Sequence, residues 1–132
     1  RSPLWKGGGT VFGPEPHSYN HKLSKKLSRL ARKSVLSSKV LDGNLLVIDN
    51  IKLEDHKTSA FFTILKKLNL ADKKLTILIA DNGNRNLDMA SRNLRNVNLV
   101  NSKNASTYDL IDCEVLIIDQ DSVLMFSDSL KD

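Results

Sequence analysis

Four short aliphatic runs, Leu45–Ile48 (LLVI), Leu75–Ala80 (LTILIA), Val97–Val100 (VNLV) and Val115–Ile118 (VLII), constrain this chain more than anything else in it. Each is of strand length and mainly apolar, interrupted only by Thr76 and Asn98, so each reads as a strand covered on both faces. Between them the apolar spacing changes to three and four residues. A helix is expected over Thr58–Leu68, with Ala60, Phe61, Ile64, Leu65 and Leu68 as its stripe, then a shorter one over Leu87–Leu94, a helical turn at Thr107–Ile111 and a terminal helix over Ser122–Leu130. Strands alternating with helices imply parallel pairing through right-handed crossovers. The expected fold is therefore α/β, a three-layer sandwich around a mainly parallel four-stranded sheet.

A chain of 132 residues suffices for one core, and with 40% hydrophobic but only 5% aromatic residues that core should be built of Leu, Ile and Val. No apolar run approaches the ~18 residues of a membrane span, and no secretory signal pattern is present. The single Cys113 has no internal disulfide partner, which suits a reducing, cytoplasmic setting.

Charge divides the chain unevenly. Residues 1–39 hold nine cations against one acid, a net of +8, whereas the remaining 93 residues hold 11 cations and 14 acids, a net of −3. Within the basic part, Asn20 is expected to cap a helix whose apolar positions Leu23, Leu27, Leu30, Ala31 and Val35 dock on the domain, ending near Ser38. Lys22, Lys26, Arg29 and Lys33 form another stripe, flanked by Lys25 and Arg32. Like charges at these spacings disfavour an isolated helix by a few tenths of a kcal/mol per pair, a cost that an external polyanion would reverse.

Ahead of this helix, Arg1–Pro16 (RSPLWKGGGTVFGPEP) has no apolar periodicity. Rings at Trp5 and Phe12, cations at Arg1 and Lys6, and the backbone of Gly7, Gly8 and Gly9 suit stacking on unpaired bases with cations on phosphates. The organisation expected is an extended basic Gly/Pro-rich arm over residues 1–19 and one α/β domain over residues 20–132. Because the chain begins at Arg1, inside the arm, it is expected to be a fragment of something longer.

Other chemistry was weighed against this. Three strands end in an acid and a polar residue, Asp49-Asn50, Asp81-Asn82 and Asp119-Gln120, and carboxylates at strand ends can hold Mg²⁺ for phosphoryl transfer. The same residues also serve as helix caps and turns, and no nucleophile or base motif accompanies them. His17 and His21 lack further ligands for zinc, the triple glycine lacks the strand and helix of a phosphate loop, and Cys113, Phe61 and Phe62 read as core. No catalytic residue, metal, cofactor or small-molecule substrate is expected.

The string RSPLWKGGGTVFGPEP, the basic helix KLSKKLSRLARKSVLSSK, the Asp-Gly turn into LLVID, and the later TILIADNGNRNLDMASRNLRNVNLVN and STYDLIDCEVLIID together resemble the bacterial family of universal large-subunit ribosomal protein four. The resemblance covers essentially the whole chain. It implies an α/β domain on the ribosome surface, partnered by large-subunit ribosomal RNA and neighbouring ribosomal proteins, with a loop threading toward the peptide exit tunnel. On that basis Arg1, Trp5, Lys6 and Gly7 to Gly9 match the returning arm of the loop, Phe12-Gly13-Pro14 its return to the domain, and Lys22 to Lys33 the helix lying on RNA. Two departures stand out: the outgoing arm, loop tip and initial strand and helix usual in the family are absent here, and Glu15 and His17 stand where the family is more often basic.

Overall fold

A computed structural model describes residues 1–49, 51, 53–80 and 85–131. Its elements follow in the order α1 (Lys25–Leu41), β1 (Leu45–Ile48), α2 (Thr58–Lys67), β2 (Leu75–Ile79), α3 (Arg85–Ser91), β3 (Val97–Asn101), α4 (Thr107–Ile111), β4 (Val115–Asp119) and α5 (Gln120–Leu130). All four strands are parallel, in the spatial order β1-β4-β2-β3. The aliphatic runs thus became strands within a residue of the expected bounds.

Strand alternation sorts the core into two layers. Leu75, Ile77, Val115 and Ile117 point to one face, where they meet Phe61 and Leu65 of α2 and Leu87 and Ala90 of α3. Leu78, Leu116 and Ile118 point to the other, against Leu110 of α4, Phe126 of α5, and Val35 and Leu36 of α1. The two central strands, β2 and β4, are buried over four consecutive residues each, which is why their sequences read as mainly apolar runs. Polar groups inside are bonded: Thr76 Oγ1 donates to the Asp109 carbonyl at 3.0 Å and Ser122 Oγ to the Leu78 carbonyl at 3.3 Å. Cys113 is buried, its thiol 3.3 Å from the Leu110 carbonyl, as expected for a core residue.

The first helix departs from expectation in two ways. Its N-cap is Ser24, whose Oγ accepts from the Leu27 N–H at 3.3 Å, so the helix starts four residues later than an Asn20 cap would give and leaves Lys22 outside it. Its docking face also differs. Leu23, Leu27 and Leu30 are 71%, 50% and 62% exposed, and of the expected positions it is Val35, joined by Leu36, that meets the core. Length supplies the reason. Seventeen helical residues span roughly 25 Å, whereas the five-residue α4 against which α1 packs spans only about 8 Å. The amino-terminal half of α1 outruns the layer beneath it, and its leucines find no core to enter.

Candidate nucleic-acid interface

Residues 16–41 contain no acid, so nothing on α1 offsets its cations. Three lysines, Lys22, Lys25 and Lys26, stand at the start of the helix, where the macrodipole is positive and cations are disfavoured. An anion at that end would relieve both the dipole and the mutual repulsion.

The stripe holds as a stripe. Lys26, Arg29 and Lys33 line one surface groove together with Leu30. Lys22, Lys25 and Lys26 are exposed, whereas Arg29, Arg32 and Lys33 are half-buried. Arg32 differs from the rest: its Nε is buried without a hydrogen-bond partner among the described residues, so it flanks the groove rather than facing freely outward. Lys39, the last of the nine cations, is committed to the domain through its ammonium, which donates to the carbonyl of Cys113. Leu30 was read from the sequence as a docking residue and is instead the apolar member of the cationic groove; its spacing from Lys26 and Lys33 is the signal that places it there.

In the arm, two successive turns shape Arg1–Gly9: the Trp5 N–H donates to the Ser2 carbonyl at 3.0 Å and the Gly8 N–H to the Trp5 carbonyl at 2.8 Å. Gly7 has φ +76°, the left-handed region that favours glycine, and a Cβ on Gly8 would collide with the Ser2 carbonyl oxygen. Two of the three glycines are thus required by the local backbone. Leu4, Trp5, Phe12 and Tyr19 all present exposed side chains. Farther along, His17 Nδ1 lies 2.9 Å from the Glu15 carbonyl and its ring centroid 4.2 Å from that of Tyr19.

The strand-end carboxylates do not assemble into a metal centre among the described residues, where no group of three or more His, Cys, Asp or Glu is placed to hold an ion. Pairing of Ile48 with Asp119 brings the ends of β1 and β4, and hence Asp49 and Asp119, to one pole of the sheet. Asp81 lies outside the described residues. Asp119 stands at the N-cap position of α5, but its side chain makes no capping hydrogen bond there. No described helix is long and apolar enough to cross a membrane.

The family described as ribosomal protein L4/L1 matches residues 1–129. A relative from Phytoplasma australiense, named large ribosomal subunit protein uL4, is 46% identical over 131 residues, covering 99% of this chain and 62% of the relative. Proteins of the same name from Chlorobium phaeovibrioides and Moorella thermoacetica are 39% and 42% identical, over 98% and 93% of this chain and 62% and 58% of their own lengths. The chain therefore spans about three-fifths of the relatives it matches. With a match running from the arm through the terminal helix, the chain belongs to the ribosomal protein L4/L1 family.

Proposed function

We propose that this chain is a structural constituent of the large ribosomal subunit that binds ribosomal RNA and contributes to subunit assembly. It works in the cytoplasm, ribosome-bound, beside neighbouring large-subunit proteins and without chemistry of its own. The observation that carries the reading is the acid-free groove of Lys26, Arg29, Leu30 and Lys33, continuous in sequence with an arm of exposed Trp5 and Phe12, in a chain whose relatives are named as large-subunit proteins.

The division of labour follows from the chemistry. Residues 1–19 form the RNA-binding arm, the return half of a loop directed toward the exit tunnel, and residues 20–132 form the domain that presents α1. Lys22, Lys25, Lys26, Arg29, Arg32 and Lys33 dock on phosphates first, because charge acts at longest range. Arg1, Lys6, Trp5, Phe12 and the backbone of Gly7 to Gly9 then order against the RNA, the rings stacking on unpaired bases.

Affinity for a large-subunit ribosomal RNA fragment, titrated over a range of salt, tests this reading. Each phosphate contact contributes about 0.7 to 0.9 to the slope of log affinity against log salt. Replacing Lys26, Arg29 and Lys33 together by Ala is expected to flatten that slope by roughly two to three. A slope that does not change removes the groove from the interface.

A further inference from the structure

A second cationic surface lies at the opposite pole, where the strands begin. β2 and β3 start in register, Leu75 opposite Val97, and the Leu75 N–H donates to the Asn96 carbonyl at 2.7 Å. Lys73-Lys74 and Arg95-Asn96 therefore enter the sheet side by side. The last turn of α2 brings Lys66 and Lys67 to the same pole, and Arg92 follows the end of α3 there. Lys74 is engaged by Asp112 at 2.8 Å and Glu114 sits on its β4 side, but toward β3 the nearby acids in sequence are Asp72 and Asp88, against Lys66, Lys67, Lys73, Arg92 and Arg95.

In the middle of these cations is a cleft of about 200 Å³, lined by Phe62, Ala71, Leu94, Arg95 and Asn96 among others. The sequence assigned Phe62 to the core together with Phe61. Only Phe61 is buried there; the Phe62 ring is half-buried at the cleft, with the Lys66 ammonium 4.8 Å from its centroid. The cleft is smaller than the ~300 to 1,000 Å³ of small-molecule sites, which suits a single planar ring system rather than a whole cofactor. An aromatic ring, an amide side chain and a guanidinium around one opening are the groups that receive an unstacked base: the ring stacks, Asn96 bonds to a base edge, and the surrounding cations meet the flanking phosphates.

We infer that this cleft is a second RNA contact, taking one unpaired base against Phe62 while Lys66, Lys67, Lys73, Arg92 and Arg95 hold the adjoining backbone. The inference rests on the RNA-binding reading above and extends it: α1 packs on one face of the sheet and α2 on the other, so one molecule can join two RNA segments.

The experiment measures binding of the full chain to a single-stranded oligoadenylate and to an RNA duplex by fluorescence anisotropy over a range of salt. Three variants are compared: Lys66→Ala with Arg95→Ala, Phe62→Leu, and the α1 triple Lys26→Ala, Arg29→Ala, Lys33→Ala. Removing Lys66 and Arg95 is expected to flatten the single-strand salt slope by about 1.4, additively with the α1 triple. Phe62→Leu retains an apolar group for packing and is expected to weaken oligoadenylate binding roughly fivefold or more, with the slope and duplex binding unchanged. If the Lys66/Arg95 pair changes nothing while the α1 triple retains its effect, the second contact is overturned and the α1 interface stands. If neither set changes the slope, both readings fall. Phe62→Leu binding oligoadenylate as tightly as the parent, with circular dichroism confirming its fold, overturns the base-stacking claim.

Discussion

Trp5 is 67% exposed and touches no part of the core, so its ring is available to a base. Trp5→Ala is expected to weaken binding to a large-subunit RNA fragment by ~1 to 3 kcal/mol while leaving the thermal unfolding midpoint in place. A drop in midpoint instead, read by circular dichroism, would mean the ring packs on protein. Gly8→Ala tests the backbone rather than the ring: an added Cβ meets the Ser2 carbonyl, so the turn from Trp5 to Gly8 must open. RNA affinity should fall with no loss of core stability, because no residue of the arm belongs to either core layer. What the structure explains of the glycine run is local, a left-handed φ at Gly7 and a crowded Cβ position at Gly8. The placement of Arg32 was not legible in the sequence, because whether a guanidinium stem lies against protein depends on the angle at which its helix docks.

That angle is an element-scale property, and α1 shows why periodicity alone misreads it. Leu23, Leu27 and Leu30 satisfy helical spacing as well as Val35 and Leu36 do, but only the second pair lies over a core layer. The sequence announces a helix and an apolar stripe; the short α4 and the core layer beside it decide how much of the stripe has anything to cover. Replacing Leu27 by Ser should therefore change unfolding free energy by no more than about 0.5 kcal/mol in urea titration. Leu110→Ala, at a side chain with 0% exposure in α4, should cost about 2 to 5 kcal/mol in the same assay. Removing the cap by Ser24→Ala should cost on the order of 1 kcal/mol, which a lower helical signal and midpoint would register. Ser24 and Asn20 are both capping types, and residue type alone does not choose between them. The later start places Lys22 beyond the positive end of the helix, with one fewer lysine in the helix itself.

At the scale of the whole molecule, the α/β architecture was legible because β2 and β4 are covered on both faces and show it as aliphatic runs. The strand order was not. The run LLVI reads as a strand covered on both faces, yet β1 lies at the sheet edge with Leu46 and Val47 exposed, and nothing in it foretells that β1 pairs with β4 and lies apart from β2. The order has a consequence for a chain made from its amino terminus onward. β2 and β3 can pair once both have emerged, but β1, made before them, borders β4, made after them. Leu45–Ile48 must therefore wait through some seventy further residues for its partner to appear. Contacts so distant in sequence form slowly and leave apolar strands exposed while they do. Synthesis interrupted before Val115 would release a chain whose β1 has no edge to join, and such a chain is a natural client for chaperones and proteases.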